Sequence, residues 1–195
     1  MNNTRKIAYA GLLAALYVAL TYAQNFLLPG TTSMAIQFRA SEALCVMAFY
    51  SPSAIWGLTV GCLLFNISNA GALPLDWLVG TLATFLATGA MYLTRKITLK
   101  NIPFLGLLMP AIFNALLVGW ELTFYIGDAF WLNALYVALG ELGVLLVLGT
   151  ILHVVMTQRV LDKKLSASAR QKINFKPPSL RNNNGGFSYL GRGFS

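Results

Sequence analysis

Ser51-Pro52-Ser53 interrupts a long apolar stretch and decides how many helices this chain forms. Proline either kinks one helix or begins a new one, here with Ser51 as the N-cap and Pro52 at the first helical position. The positive charges favour a new helix. If one helix ends before Pro52, every basic residue except Arg39 falls on one side of a membrane, which is typical of cytoplasmic loops. The residues on that side are Arg5, Lys6, Arg95, Lys96, Lys100 and those from Arg159 onward.

The composition is that of a membrane protein. Of 195 residues, 57% are hydrophobic and 10% are charged. The first apolar run, residues 7–28, is long enough to cross a bilayer and is expected to stay in the mature protein. We expect an all-α bundle of six transmembrane helices in the cell membrane, with both termini cytoplasmic. Because the second and third runs are short, they must be tilted or shielded by protein. The six apolar runs cover residues 7–28, 35–50, 54–67, 75–94, 103–126 and 129–155.

The chain divides by composition into a membrane domain and a polar tail. Residues 1–165 hold all six apolar runs, whereas the composition of residues 166–195 predicts a disordered, basic cytoplasmic tail. No G-x-x-x-x-G-K-[ST] loop occurs in the sequence, so any ATP would be hydrolysed by another subunit. Cys45, Cys62 and His153 lack the spacing of a metal site, and we expect no metal and no cofactor. The net charge of +8 follows the helix ends, which argues against nucleic acid.

Polar side chains inside the apolar runs predict a binding pocket near the outer face. Buried charge is costly in a membrane and commonly marks a functional site. Carboxylates and carboxamides accept hydrogen bonds, so they select a ligand that is cationic or rich in N–H groups, and not a phosphate or a carboxylic acid. The candidate binding residues are Arg39, Glu42, Asn66, Asn114, Trp120, Glu121 and Glu141.

Structural explanations remain open for several of these residues. Arg39 and Glu42 can form an ion pair at positions i and i+3. Asp76, at the start of the fourth run, can stabilise a helix N-terminus. Trp120 is also typical of an anchor at the membrane interface. Glu121 and Glu141 have no basic residue in the membrane core to pair with, so a structural role would require protonated carboxyl groups hydrogen-bonded to backbone or hydroxyl groups. Ligand binding is the better explanation for these two acids.

The first helix carries small residues at four-residue spacing, and this surface lets another helix approach closely. The residues are Ala10, Gly11, Ala14, Ala15 and Ala19. The spacing alone favours packing inside the bundle and docking of a partner equally.

One string of residues resembles a known family. Ile36-Gln37-Phe38-Arg39-Ala40-Ser41-Glu42-Ala43-Leu44, with the Ser-Pro turn, Gly57, Gly61, Asn66 and the segment from Asn114 to Glu121, resembles the QueT family over approximately residues 4–160. The resemblance implies a six-helix S-component of an energy-coupling factor (ECF) transporter, not an enzyme. It implies capture of a queuosine precursor, chiefly the aminomethyl-deazaguanine preQ1, at the outer face. It also implies that the small residues of the first helix dock on a transmembrane coupling subunit driven by two ABC ATPases.

The chemistry of preQ1 agrees with this pocket. A deazaguanine presents an N–H and an amino group side by side, which one carboxylate can accept, and the ammonium group needs a second acceptor. The candidate acceptors are Glu42, Glu121 and Glu141, and Asn66 and Asn114 are the candidates for the remaining edges. The loop over residues 29–35 is expected to form a lid.

Three other functions remain open from the sequence. An S-component for thiamine would also bind a cationic aromatic ligand. A membrane enzyme would use Glu121 and Glu141 as an acid–base pair. A proton-coupled secondary transporter would need no ATPase partner, although the six runs show no inverted repeat.

Overall fold

A computed structural model of the chain describes residues 2–31, 38–69, 73–99 and 102–159. The described segments form five α-helices and one 3-10 helix, with a π-helical segment at Leu145–Gly149 inside the last α-helix. The described residues up to Thr157 belong to one compact unit. In chain order, the helices are α1 (Asn3–Leu27), the 3-10 helix (Ala40–Phe49), α2 (Pro52–Ser68), α3 (Asp76–Thr94), α4 (Phe104–Ile126) and α5 (Phe130–Arg159). Most of the lid predicted over residues 29–35, and the whole tail over residues 166–195, lie outside the described residues.

The helices differ in their ability to cross a membrane. Among the described helices, four are long and apolar enough to do so, namely α1, α3, α4 and α5. The 17 residues of α2 give a length of about 25 Å, and the ten residues of the 3-10 helix give about 20 Å. Both are shorter than the hydrocarbon core of about 30 Å. The fold is therefore that of an all-helical, multi-pass membrane protein, while the count of six spans stays a prediction.

Successive helices run in opposite directions. The end of one helix therefore lies at the same end of the bundle as the start of the next. Contacts between Thr21 and Ser41, and between Asn66 and Asp76, lie at one end, which we call the Arg39 end. The opposite end, where the 3-10 helix meets α2, is called the Tyr50 end. The described basic residues at the Tyr50 end include Arg5, Lys6, Arg95 and Lys96.

The 3-10 helix is the centre of the bundle. It packs against all five α-helices, and residues 41–49 are all buried. Its sequence, ASEALCVMAF, is mainly small and apolar on every side, and such a helix is stable when other helices cover it. A 3-10 helix rises farther per residue than an α-helix, so few residues reach across the bundle. The predicted shielding of this short segment by protein is confirmed. Arg39 is extended, so the 3-10 helix begins at Ala40.

The Ser-Pro break is a helix start, as predicted. α2 begins at Pro52, and the Ser51 hydroxyl accepts a hydrogen bond from the Ser53 backbone N–H at 3.3 Å, as expected for an N-cap residue. The preceding Tyr50 lies with its hydroxyl 3.0 Å from His153 Nδ1 of α5. His153 is buried. Its contact with Tyr50 connects this turn to α5.

α1 and α2 approach each other closely because glycines face the α1 backbone. A side chain at Gly57 would lie 2.5 Å from the Ala10 carbonyl oxygen, and one at Gly61 would lie 3.0 Å from the Ala14 carbonyl oxygen. Ala10 and Ala14 therefore pack inside the bundle. The exposed side of α1 carries the other three small residues, Gly11, Ala15 and Ala19. The docking surface predicted from the sequence is thus reduced to these three, which we call the outer stripe.

Gly57→Ala should lower the thermal stability of the purified protein, because the added methyl group has no room against α1. We expect a loss of about 1–3 kcal/mol, the usual cost of overpacking, measured as a lower melting temperature in detergent. Gly11→Ala is the control, since a Cβ at Gly11 meets no atom within 4 Å, and it should be as stable as the wild type or more so. Equal melting temperatures for the two variants would contradict the close packing of α1 and α2.

Candidate functional site

Four carboxyl groups are buried in the bundle together with one guanidinium group. Among the described residues, Glu42, Asp76, Glu121 and Glu141 are each at most 2% exposed, and Arg39 is 4% exposed. A carboxylate removed from water needs a positive charge or hydrogen-bond donors, and burial without them costs several kcal/mol. The partners of each group therefore indicate whether its role is structural or whether it awaits a ligand.

Arg39 pairs with Asp76 of α3. Arg39 Nη2 lies 3.6 Å from Asp76 Oδ2, and the guanidinium carbon lies 5.9 Å from the centre of the Phe65 ring, within cation–π range. The sequence allowed an i, i+3 pair with Glu42 instead. Arg39 precedes the first helical turn in an extended conformation, with φ −110° and ψ 103°. The helical spacing does not apply to an extended residue, so its side chain reaches α3.

Glu42 is held by donors from two elements. Tyr17 of α1 donates its hydroxyl to Glu42 Oε1 at 2.5 Å, and Cys45 of the 3-10 helix donates its thiol to Oε2 at 3.1 Å. Both oxygens of this carboxyl thus have donors from the protein. Glu42 was a candidate ligand-binding residue from the sequence, but its surroundings are those of a structural group that fixes the 3-10 helix to α1.

Asn66 joins the end of α2 to the start of α3. Its Nδ2 donates to the backbone carbonyl of Asp76 at 2.9 Å. This approach depends on Gly80, where a Cβ would lie 2.8 Å from Asn66 Nδ2. Asn66 Oδ1 and Asp76 Oδ1 are buried and accept no hydrogen bond from the residues that the structure describes. The corner between α2 and α3 therefore presents two acceptor atoms.

Glu121 and Glu141 lie on the neighbouring helices α4 and α5. Asn114 Nδ2 donates to Glu141 Oε1 at 2.9 Å. Within the described segments, Glu141 Oε2 and both oxygens of Glu121 receive no hydrogen bond. Arg39 is close enough to interact electrostatically with both carboxyl groups. These two acids therefore belong to the same site as the ion pair between Arg39 and Asp76.

The oxygen atoms left over at this site share one property. All are buried side-chain acceptors that receive no hydrogen bond from the described part of the chain, and native proteins leave few such atoms unsatisfied. We call them the acceptor set: Asn66 Oδ1, Asp76 Oδ1, Glu121 Oε1, Glu121 Oε2 and Glu141 Oε2. One further atom of this kind in the described segments, the Thr81 hydroxyl oxygen, lines a groove between α2 and α3. Because a carboxamide oxygen and an ionised carboxylate only accept hydrogen bonds, the missing partners are donors.

A cavity of about 500 Å³ lies beside this site at the Arg39 end of the bundle. Its lining includes Asn66 of α2, Asn69 just after α2, and the residues just before and within α3, Leu73, Pro74 and Trp77. Asn66 therefore borders both the cavity and the buried acids. Among the residues of the acceptor set, Asn66 is the member that lines this cavity.

The tryptophan residues expected near the pocket lie mainly on the outside of the bundle. Trp120 is 55% exposed on α4, although the adjacent Glu121 is fully buried. Trp131 of α5 is 77% exposed. Exposed tryptophan near helix ends is typical of anchors at the membrane interface. Trp120 was predicted to bind the ligand, and the structure does not bring it to the buried acids.

Three polar residues of α1 belong to the framework of the site and were absent from the predictions. Tyr17, Thr21 and Gln24 are buried, and all three bond to the segment over residues 38–42. Their spacing of four and then three residues places them on one face of the helix. That spacing within an apolar run is the sequence signal that would have identified them.

The family model described as QueT transporter matches residues 7–158, which includes every residue of the site. The chain belongs to the QueT transporter family. The resemblance found in the sequence is therefore confirmed. A protein of Lactococcus lactis subsp. cremoris (strain MG1363), named queuosine precursor transporter QueT, is 34% identical over 99 residues, which are 48% of this chain and 54% of that protein. The chain thus spans about half the length of this QueT relative. No solved structure matches the chain.

Glu121→Gln should raise the melting temperature of the ligand-free protein. The change replaces a buried carboxyl group of the acceptor set by a neutral amide of the same shape, so it removes a desolvation cost of about 1 kcal/mol or more. Glu42→Gln should lower the melting temperature, because the new amide N–H₂ would face the donor groups of Tyr17 or Cys45. A destabilised Glu121→Gln protein would show that the chain itself satisfies that carboxyl group.

Proposed function

We propose that this chain is the substrate-binding S-component of an ECF-type, ATP-driven importer. Its proposed cargo is a queuosine precursor, with the aminomethyl-deazaguanine preQ1 as the first candidate. Membership of the QueT transporter family and the name of the L. lactis relative support a queuosine precursor. The acceptor set is the observation that carries the proposal for the chemistry of the ligand.

The acceptor set calls for a ligand that donates hydrogen bonds at several points. Arg39 is engaged by Asp76, so the carboxyl groups of α4 and α5 exceed the nearby positive charge. A cationic ligand would restore the balance through charge-assisted hydrogen bonds. A phosphate or a carboxylic acid would bring further acceptor oxygens to a site whose unsatisfied atoms are themselves acceptors.

The ligand preQ1 has donors at both of its ends. Its ring N–H and amino group lie side by side and match the two oxygens of one carboxylate. Glu121 is the candidate for this edge, because both of its oxygens belong to the acceptor set. Glu141 Oε2 is the candidate for the ammonium group, since Oε1 already binds Asn114. Arg39 can donate to the ring carbonyl, and Glu42 holds the 3-10 helix without touching the ligand.

The proposed orientation places the Arg39 end outside the cell. Arg5, Lys6, Arg95 and Lys96 lie at the Tyr50 end, and an excess of positive charge marks the cytoplasmic side. Both termini are then cytoplasmic, and residues 166–195 form a basic cytoplasmic tail. The cavity bordered by Asn66 is the proposed entrance to the site.

The proposed partners are a transmembrane coupling subunit and two ABC ATPases. The sequence carries no phosphate-binding P-loop, so in this proposal another chain hydrolyses the ATP. The outer stripe on α1 is the proposed docking surface, because small residues allow a helix of the coupling subunit to approach closely.

Glu121→Gln and Glu141→Gln should each weaken the binding of preQ1 by more than tenfold, or about 1.4 kcal/mol. Each change replaces an acceptor that faces a cation by a neutral amide. The measurement is calorimetric titration of purified protein with preQ1. Asp128→Asn is the matched control, because Asp128 is an exposed acid in the short connection between α4 and α5, and it should bind as the wild type does. Wild-type affinity in both glutamate variants would show that the ligand does not bind at this site.

The same purified protein distinguishes the other functions. Tight binding of thiamine without binding of preQ1 would assign a different cationic cargo. Chemical conversion of the ligand by the isolated chain would indicate an enzyme that uses Glu121 and Glu141. Uptake into vesicles that contain no ATPase subunit would indicate a secondary transporter.

Gly11→Leu should abolish uptake by cells while the purified protein still binds its ligand, because a bulky residue would prevent docking on the outer stripe. Gly143→Leu on α5 is the matched control. Both glycines are exposed, and a Cβ at either position meets no atom within 4 Å. Uptake should therefore continue in the Gly143 variant. Normal uptake in the Gly11 variant would place the docking surface elsewhere.

A further inference from the structure

Gln24 of α1 bonds to the backbone on both sides of Arg39. Its Nε2 donates to the carbonyl of Phe38, and its Oε1 accepts the N–H of Ala40 at 2.7 Å. The same Nε2 also donates to Thr31 Oγ1 at 3.1 Å. A carboxamide has two N–H groups and one carbonyl, so every polar group of this buried side chain is used.

These bonds fix the two peptide groups that flank Arg39. Arg39 is extended, and its carbonyl accepts the Glu42 N–H at 3.0 Å as the first bond of the 3-10 helix. The direction of a side chain from its Cα atom follows from the backbone conformation. Gln24 therefore sets the direction in which the guanidinium leaves the backbone, which is toward Asp76 of α3.

The direction of Arg39 matters because other carboxyl groups lie within its electrostatic range. Glu121 and Glu141 are buried in the same bundle, and their oxygen atoms in the acceptor set receive no hydrogen bond from the described residues. If Arg39 turned away from Asp76, it would neutralise one of these two acids and compete with a cationic ligand for it. Asp76 would at the same time lose its counter-charge.

We infer that Gln24 is a positioning residue for the ligand site. By holding the backbone around Arg39, it keeps the guanidinium on Asp76 and so leaves Glu121 and Glu141 for a cationic, N–H-donating ligand. The effect on the ligand rests on the proposed function, whereas the coupling between Gln24 and the ion pair does not.

Thr21 provides a matched control on the next turn of α1. It is also fully buried, and its hydroxyl bonds to Ser41 Oγ at 2.7 Å. Thr21→Val therefore removes a hydrogen bond between α1 and the 3-10 helix without touching the peptides that flank Arg39. A residue that only joins the two helices should behave as Thr21 does.

The experiment is a double-mutant cycle between Gln24→Leu and the paired change Arg39→Met/Asp76→Asn, which removes the ion pair as a whole. Binding of preQ1 and the melting temperature of ligand-free protein are measured for each member. Gln24→Leu should weaken binding about tenfold in the wild-type background and less than about twofold in the background without the ion pair. Its loss of melting temperature should also be smaller in the second background. Thr21→Val should change binding less than about twofold in both.

Equal effects of Gln24→Leu in the two backgrounds, or wild-type binding by Gln24→Leu, would overturn the inference. If the wild-type protein does not bind preQ1, the proposed cargo is wrong, and the melting temperatures alone still decide whether Gln24 acts through the ion pair. If Gln24→Leu does not fold, Gln24→Glu replaces it. That variant keeps an acceptor for the Ala40 N–H but, when ionised, cannot donate to Phe38, and the same dependence on the ion pair is expected.

Discussion

Arg39 lies among four buried carboxyl groups in the described bundle and forms an ion pair with one of them, Asp76. Glu42 has protein donors on both oxygens, so it needs no further partner. Glu121 and Glu141 supply three of the five atoms of the acceptor set. The site thus separates into a satisfied part, built around the 3-10 helix, and an unsatisfied part on α4, on α5 and at the corner between α2 and α3. A bilayer offers no water to complete the second part, and a donor ligand can.

The two sides of α1 serve different neighbours. Its buried side carries Tyr17, Thr21 and Gln24, which bond to the start of the 3-10 helix. Its exposed side carries the outer stripe. A helix placed in this way would join the proposed ligand site to the proposed docking surface through one element. Any shift of α1 that accompanies docking would therefore reach the backbone around Arg39. Docking and ligand binding would then be coupled directly through α1.

The sequence predicted the helices from properties that act locally or through charge. The Ser51-Pro52 start follows from proline geometry and capping, and the location of Arg5, Lys6, Arg95 and Lys96 at one end follows from the order of the helices. The 3-10 form of the second segment was not predicted, because its apolar composition fits either type of helix and tertiary packing decides between them. The same limit applies to Arg39, whose partner on α3 is distant in sequence.

The sequence predicted the acidic and amide residues of the candidate site but not the residues that support them. Asn66, Asn114, Glu121 and Glu141 converge because buried polar groups in a membrane protein collect where they satisfy one another or a ligand. Trp120 shows the limit of that reasoning, because successive residues of an α-helix lie about 100° apart around its axis, and Trp120 is exposed although the adjacent Glu121 is buried. The small residues of α1 show it as well. Their spacing identifies a close contact, and only the position of Gly57 and Gly61 shows that half of it is internal.

The central position of the 3-10 helix restricts the length of the chain as well as its composition. With three residues per turn, one inserted or deleted residue would rotate all following side chains by about 120°. Residues 41–49 are all buried against other helices. A rotated helix would therefore place different side chains in all of these contacts, because none of its sides faces lipid. Related chains should therefore vary in length in their loops and keep a constant number of residues between the arginine at the mouth of the site and the proline that begins α2.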